Sequence, residues 1–146
     1  MGRRDPFSAP EQETRKEGKG CVKGITFDAG GLIAWDRDDR RVIALIARAA
    51  ELGMRITIPA TALAQAMRNP ARQARLCRLI RQASTDLMAL DGPDATAVGL
   101  LLGRTSTADI VDAHVVFCAQ RAGQAVVTSD PADLRRIAPG LQLLAV

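Results

Sequence analysis

Short apolar runs alternate with longer amphipathic windows along most of the chain. Five runs rich in apolar and β-branched residues predict β-strands, and they cover residues 24–27, 54–58, 86–90, 124–128 and 141–145. Glycine and proline residues punctuate the segments between these runs. The pattern therefore predicts strands that alternate with helices along the chain.

The clearest helical window covers residues 40–52, where apolar positions have the i, i+3, i+4, i+7 spacing of one helix face. Asn69 followed by proline predicts the start of a helix to about residue 84. Ser106 and Asp109 fit a capping box that opens a helix to residue 122. Further helices are predicted within residues 32–35, 60–68, 92–103 and 131–137.

Strands that alternate with helices form βαβ units. We therefore expect an α/β fold in which a mostly parallel central sheet of about five strands has helices on both faces. In open sheets of this kind, ligands bind outside the carboxyl ends of the strands, where the strand order reverses. A functional site is expected at that edge.

Length and composition indicate one globular domain after a polar segment. The chain has 146 residues, of which 47% are apolar and 25% are charged. Residues 1–20 are polar, so we expect residues 1–21 to be a flexible tail and residues 22–146 to be the domain. The longest uncharged stretch, residues 56–67, is too short to span a bilayer, and no secretory signal is apparent. Three widely spaced cysteines favour a reducing compartment, so we expect a cytoplasmic protein.

The formal net charge is mildly positive, and the acidic residues are unusual because nearly all of them beyond residue 20 are aspartates. A formal net charge of +4 permits nucleic-acid binding without requiring it. Beyond residue 20, aspartate accounts for 11 of the 12 carboxylates. Several of these aspartates fall where strands are expected to end, so the carboxylates are the first candidates for chemistry.

Five aspartates are placed so that they could share one site. Asp28 follows the first strand, Asp130 and Asp133 follow the fourth, and Asp109 and Asp112 are three residues apart near the start of a long helix. Carboxylates gathered without cations repel one another, so such a cluster indicates a bound divalent metal. Ligation by oxygen alone favours Mg²⁺ or Mn²⁺ over zinc.

Most of these positions also have a structural explanation. Asp28, Asp109 and Asp130 could each help to cap a helix that begins nearby. Asp112 is different, because with Ser106 as the cap it would lie in the second turn, beyond the unpaired N–H groups of the helix start. Asp112 is therefore the strongest single candidate for a functional residue.

Three segments, ITFDAGGLIAW, DIVDAHVVFCA and VVTSDPADL, resemble in order and interval those of PIN-domain ribonucleases, in particular VapC-type toxins of bacterial toxin–antitoxin systems. The resemblance covers about residues 22–146. It implies a three-layer α/β/α PIN-like fold and a metal-dependent endoribonuclease that uses Mg²⁺ or Mn²⁺. It also implies a homodimer and a cognate VapB-type antitoxin that blocks the site.

The resemblance assigns roles to single residues. Asp28, Asp112 and Asp130 match the first, third and fourth acidic positions of the family, which makes them the implied catalytic and metal-binding residues. Asp109 matches a frequent accessory acid and joins them as a metal ligand. Together these four residues form the expected metal site.

Two further residues are expected around the metal rather than on it. Asp133 matches another accessory acid, and Gln65 stands where the family normally has its second acid, a glutamate. An amide can ligate through its carbonyl or hold a metal-bound water, but it adds no negative charge. Gln65 therefore leaves a second interpretation open, a catalytically weakened PIN domain that binds RNA or its antitoxin.

Basic residues are the candidates for substrate contact. Arg68, Arg72 and Arg75 have i, i+4, i+7 spacing on helices after the second strand and could track RNA phosphates, although a solvated charged face is the alternative. Aromatic residues make up only 3% of the chain, so recognition through shape and phosphates fits better than base stacking. His114, two residues from Asp112, points to another helix face and is expected in the core or behind the site.

One rival enzyme class shares part of the first motif. FDAGGL resembles the nucleophile loop of haloacid-dehalogenase-type phosphatases, which requires a second aspartate where this chain has Gly30. That class also needs a later lysine, and Lys23 is the only lysine beyond residue 20. A receiver domain lacks the same lysine, so both interpretations are disfavoured.

Overall fold

The computed structural model describes residues 6–7 and 22–146. Its strands are β1 (Gly24–Phe27), β2 (Arg55–Pro59), β3 (Thr85–Met88), β4 (Ala125–Thr128) and β5 (Leu143–Ala145). They form one sheet in the order β3-β2-β1-β4-β5, and every neighbouring pair is parallel. The predicted sheet is confirmed, with boundaries that shift by two residues or fewer.

Seven α-helices connect the strands within the described residues. They are α1 (Ala29–Asp36), α2 (Arg40–Glu51), α3 (Ala60–Ala66), α4 (Ala74–Ile80), α5 (Gly92–Thr105), α6 (Ile110–Ala122) and α7 (Pro131–Ile137). α1 contacts α2, α3 and α4, whereas α5, α6 and α7 contact one another, and the right-handed rule for crossovers assigns these two groups to opposite faces of the sheet. This is the three-layer α/β/α arrangement of a PIN-like fold. In this part of the chain, no helix has both the length and the apolar character needed to cross a membrane.

The core lies on both faces of the central strands. Every residue of β1 and β4 is buried, which explains why both read as continuous apolar runs rather than as alternating ones. α2 adds an amphipathic face whose buried residues are Val42, Leu45, Ile46 and Ala49. The packed sheet fixes the positions at which its strands end.

The strand order reverses between β1 and β4. Phe27 lies beside Val127 in the register of these strands, so Asp28, the first residue after β1, follows beside Thr128, the last residue of β4. A hydrogen bond of 3.2 Å from the Asp28 N–H to the Val127 carbonyl continues the ladder past the end of β1. The structure therefore places Asp28 at the point where ligands bind in folds of this class.

The predicted helix over residues 69–84 is wrong in extent. Asn69 does cap a helical start, but only a 3₁₀ turn, Pro70–Arg72, follows it. Gln73 has non-helical backbone; its side-chain oxygen accepts hydrogen bonds from two backbone N–H groups, and its amide donates to the Ala66 carbonyl. These bonds compete with helical hydrogen bonds, so α4 starts only at residue 74.

Most of the predicted flexible tail lies outside the described residues, which include only Pro6 and Phe7 of it. Phe7 is 1% exposed and belongs to the hydrophobic core. The Pro6 carbonyl accepts a hydrogen bond of 3.1 Å from the Gln142 side chain. Phe7 thus packs with the domain, and the predicted division into residues 1–21 and 22–146 stays a prediction.

Candidate carboxylate site at the carboxyl edge of the sheet

Asp28 ends β1 and caps α1. Its Oδ1 accepts a hydrogen bond of 2.7 Å from the Gly31 N–H. Burial raises the pKa of the Asp28 carboxyl, the hydrogen bond with the Thr128 side chain lowers it, and the charge of Asp130 raises it. The predicted capping role is confirmed, but a cap alone does not require a buried carboxylate beside a second one.

Two glycines let α1 begin directly against the end of β4. A Cβ on Gly30 would overlap the Ser129 hydroxyl, and one on Gly31 would lie 2.5 Å from a backbone carbonyl oxygen of β4. At Gly31 glycine is required because two backbone segments approach closely, and at Gly30 the close neighbour is the Ser129 side chain. The close approach holds Asp28 beside the loop that carries Asp130.

The start of α6 differs from the predicted capping box. Asp109 is the cap, and its Oδ1 accepts a hydrogen bond of 2.9 Å from the Asp112 N–H. Ser106 instead ends α5 in the left-handed conformation, with φ of 54°. The prediction that Ser106 caps α6 is wrong, because two possible capping boxes overlap in this segment and local sequence does not select between them.

Asp112 therefore lies in the first turn of α6, where a carboxylate interacts favourably with the helix dipole. The argument that it has no structural role is wrong. A different property distinguishes it: its pKa is raised to about 6, first by burial and then by the charges of Asp109, Asp28, Asp133 and Asp130. Each of the predicted aspartates thus acts on Asp112 electrostatically.

Asp130 holds the cap position of α7 without making a side-chain cap bond. Its backbone N–H donates to Thr128 Oγ1 at 2.9 Å. Asp133 lies one turn further on, where its carboxylate is 3.8 Å from the Arg136 guanidinium in an exposed pair of small energetic weight. Because Asp130 makes no cap bond and is exposed, its carboxylate is available to a ligand.

The chemistry of this donor set fits a hard divalent cation. It consists of carboxylate oxygens whose mutual repulsion a cation would relieve. Nowhere in residues 6–7 and 22–146 do three His, Cys, Asp or Glu side chains converge tightly enough to hold a metal ion as they stand. Two of the carboxylates, those of Asp28 and Asp109, are engaged as helix caps through one oxygen each.

Gln65 and His114 differ in their exposure to solvent. Gln65 is exposed on the last turn of α3, a helix that packs against α1 and α6. His114 is 0% exposed, its Nδ1 is 2.7 Å from the Thr61 hydroxyl, and burial lowers its pKa. The predicted core position of His114 is confirmed.

The arginines predicted to track phosphates do not share one helix face. Arg68 follows α3, and its guanidinium donates to two carbonyls at the end of that helix at 2.8 and 2.9 Å. Arg72 is exposed in the 3₁₀ turn. Arg75 forms an ion pair with Asp38 and lies 5.7 Å from the centre of the Trp35 ring. Their contact with RNA stays a prediction.

Thr128 is a site residue that sequence reasoning missed. It is 0% exposed at the end of β4 and hydrogen bonds with both the Asp28 side chain and the Asp130 backbone. A threonine two residues before an aspartate at a strand end is the available signal, because such a hydroxyl accepts from the N–H two residues on. Thr128 ties together the two loops that carry the carboxylates.

Solved structures share this fold at low sequence identity. FitAcB from Neisseria gonorrhoeae has a TM-score of 0.58 at 14% identity, over 82% of this chain and 96% of that one. PAE2754 from Pyrobaculum aerophilum has a TM-score of 0.57 at 16% identity, over 84% and 91%. FitAB bound to an IR36 DNA fragment has a TM-score of 0.58 at 12% identity, over 83% and 94%. No family model and no curated protein matches the sequence. At such identities the similarity establishes the fold alone.

Proposed function

We propose that this protein is a metal-dependent endoribonuclease that cleaves RNA phosphodiester bonds as the toxin of a type II toxin–antitoxin pair. The observation that carries the proposal is the gathering of Asp28, Asp109, Asp130 and Asp133 around the half-buried Asp112 at the strand-order reversal, where the charges of all four act on its carboxylate. Asp28 and Asp109 each cap a helix, but capping does not require five carboxylates at one edge of the sheet, whereas a cation site would offset their repulsion. The PIN-like fold and the three resembling segments support the same activity.

In this proposal Asp28, Asp112 and Asp130 would hold Mg²⁺ or Mn²⁺, with Asp109 as a further ligand. The chemistry supplied by such an ion would be a lower pKa for water at the site and neutralisation of charge on the phosphate. Asp133 and Gln65 would contact the water molecules around the metal ion.

The chain itself prepares the carboxylates for this task. α1 and α6 both begin at the site, so the positive ends of two helix dipoles offset part of the repulsion between the aspartates. Asp109 uses its Oδ1 for the cap bond to the Asp112 N–H. Its Oδ2 is left for the proposed site, where it would either ligate the metal or accept a proton from the attacking water.

The proposal includes the partners that the resemblance implies. RNA is the substrate, a VapB-type antitoxin covers the site, and a second copy of this chain completes a homodimer. A toxin of this kind acts on cellular RNA, so we place it in the cytoplasm.

Gln65 favours a second candidate function. It replaces a glutamate that the resemblance implies, and it is exposed on α3. With one negative charge fewer, metal is bound more weakly. In that case the protein is a weakened PIN domain that acts mainly by binding RNA or its antitoxin.

The proposal is tested by incubating the purified chain with labelled RNA and Mg²⁺, Mn²⁺ or EDTA. Cleavage is expected with either metal and not in EDTA. Asp28→Asn and Asp112→Asn are expected to abolish cleavage while the circular dichroism spectrum stays unchanged. The matched control is Asp86→Asn, because Asp86 pairs with Arg55 at 2.7 Å and is not among the charges that act on Asp112.

Two results would contradict the proposed activity. They are undiminished cleavage in EDTA and undiminished cleavage by the Asp112→Asn variant. RNA binding without cleavage would instead favour the second candidate function.

A further inference from the structure

A row of arginines follows the connection between β2 and β3. Between Glu51 and Asp86 the chain has six arginines and no acidic residue. Four of them recur at every third position along the 3₁₀ turn and α4: Arg72, Arg75, Arg78 and Arg81. Such spacing distributes positive charge along the segment rather than concentrating it at one point.

Three of these four arginines are exposed, and we call Arg72, Arg78 and Arg81 the arginine row. Among the described residues no ion pair engages them, whereas Arg75 is paired with Asp38. These three arginines add positive charge that no ion pair among the described residues offsets, whereas a surface built only for solubility mixes both signs. The unpaired charge of the arginine row therefore indicates an anionic partner.

The aromatic residues limit what that partner is. The whole chain has three phenylalanines, one tryptophan and no tyrosine. Phe7 and Phe27 are 1% and 0% exposed, Trp35 lies beneath the Arg75 guanidinium, and Phe117 lies beneath Arg121. Proteins that bind single strands stack bases on exposed rings, whereas helical RNA is recognised through shape and phosphates. The backbone of a base-paired segment fits this surface.

Helix α1 connects the arginine row to the aspartates. α1 begins after Asp28, and its eight residues span about 12 Å. Near its far end, Trp35 Nε1 donates to the Arg75 carbonyl at 3.2 Å, and the Asp36 carboxylate accepts from the Leu76 N–H at 3.4 Å. α4 is thus held against the end of α1. The start of α4 therefore lies about one length of α1 from Asp28.

We propose that Arg72, Arg78 and Arg81 bind the phosphodiester backbone of a base-paired RNA segment, on a surface separate from the five aspartates. The identity of the partner as RNA rests on the proposed nuclease function. The proposal adds where a helical part of the substrate docks. Each long arginine side chain supplies charge-assisted hydrogen bonds to phosphate oxygens.

The test measures binding without cleavage. The full chain is titrated into a fluorescently labelled RNA hairpin in EDTA, and anisotropy is recorded at several salt concentrations. The variant Arg72→Gln/Arg78→Gln/Arg81→Gln is expected to bind the hairpin about tenfold or more weakly. The slope of log affinity against log salt is expected to fall by about two to three, because each phosphate contact contributes about one.

A matched variant removes the same charge elsewhere. Arg40→Gln/Arg104→Gln/Arg135→Gln changes three exposed arginines on α2, α5 and α7 for which no ion pair is found in the described part of the chain. Near wild-type hairpin affinity is expected. Equal losses in the two triple variants would overturn the proposal, since net charge rather than the row would then set the affinity.

Two further probes test the chemistry of the partner. Wild-type protein is expected to bind the hairpin more tightly than a single-stranded RNA of equal length or an acidic peptide. Tighter binding of either alternative would refute docking of a base-paired segment. The binding assay contains no metal, so its result does not depend on cleavage. If the wild-type chain does not cleave RNA but the row variant loses hairpin binding, the nuclease function is refuted and the docking surface is supported.

Discussion

Thr128 Oγ1 accepts a hydrogen bond of 2.9 Å from the backbone N–H of Asp130. The same side chain hydrogen bonds with the carboxylate of Asp28 and so lowers the pKa of that group. Since Thr128 is 0% exposed, its bonds are shielded from water. One buried hydroxyl therefore sets the relative position of two carboxylates that are far apart in sequence.

Thr128→Val keeps the shape of this side chain and removes its hydroxyl. We expect the pKa of Asp28 to rise further, because the bond that stabilises its charged form is lost. The free energy of unfolding should fall by about 1 kcal/mol. Carbon-13 NMR titration of the Asp28 carboxyl and urea unfolding measure the two effects. Thr128→Ser should restore both, and an unchanged Asp28 titration in the valine variant would contradict the assigned role.

The pKa of Asp112 predicts that its charge destabilises the metal-free protein. The folded-state value is about 6, above the ordinary 3.8, so the folded state holds the proton more tightly than the unfolded chain does. This contribution is fully present at low pH and is lost as the pH rises through about 6. Without metal, Asp112→Asn should therefore stabilise the protein near neutral pH and change little near pH 4. The gain is on the order of 1 kcal/mol once solvent screening is allowed for.

Urea unfolding at the two pH values measures this effect, and Asp86→Asn is the control of opposite sign. Arg55 lowers the pKa of Asp86, so its removal should destabilise the protein near neutral pH. Adding Mg²⁺ should stabilise the wild type more than Asp112→Asn. A metal-free Asp112→Asn variant that is less stable than wild type near neutral pH would count against repulsion at this site.

Gly30→Ala tests the close approach of α1 to the end of β4. The added Cβ would overlap the Ser129 hydroxyl and lie 3.0 Å from the Ser129 Cβ, so the Ser129 side chain must rotate and its Cβ must shift slightly. We expect a loss of about 1–3 kcal/mol in the free energy of unfolding. Combining Gly30→Ala with Ser129→Gly should recover much of the loss.

Gly99→Ala is the matched control, because nothing lies within 4 Å of its added Cβ. It should stabilise α5 by about 0.5–1 kcal/mol. Equal effects of both alanines would exclude the steric explanation.

The strands were predictable because buried parallel strands leave continuous apolar runs, and Asp28 and Asp130 follow directly from where those runs end. Finer features depend on contacts between distant residues. The hydrogen bonds of the Gln73 side chain, which interrupt the predicted helix near its start, form only in the folded chain. The choice of Asp109 over Ser106 as the cap of α6 likewise follows from packing rather than from local sequence.

The electrostatic property of Asp112 was not visible in the sequence for the same reason. Its pKa depends on burial and on four charges that three separate elements bring together. The sequence singled out Asp112 through an argument about helix position that the structure does not support. The identity of the candidate residues was therefore accessible, while the physical reason for their importance required the fold.

Phe7 provides a test of the segment that precedes the domain. Its ring is 1% exposed, so Phe7→Ala should lower the free energy of unfolding by about 3–5 kcal/mol. Phe7→Leu should lose much less, because most of the apolar volume is kept. Urea unfolding of the three proteins measures the difference. An unchanged midpoint in Phe7→Ala would mean that residues 6–7 add nothing to the core.

Gln65→Glu restores the negative charge that the resemblance implies at this position. If α3 presents this residue to the site, the variant should bind Mn²⁺ about tenfold or more tightly, which calorimetric titration or electron paramagnetic resonance measures without reference to activity. RNA cleavage should rise in parallel where metal is limiting. The matched control is Gln82→Glu, which adds the same charge at an exposed position after α4. Equal increases in both variants would show that only net charge matters, and no increase in Gln65→Glu would mean that this position does not contribute to the metal site.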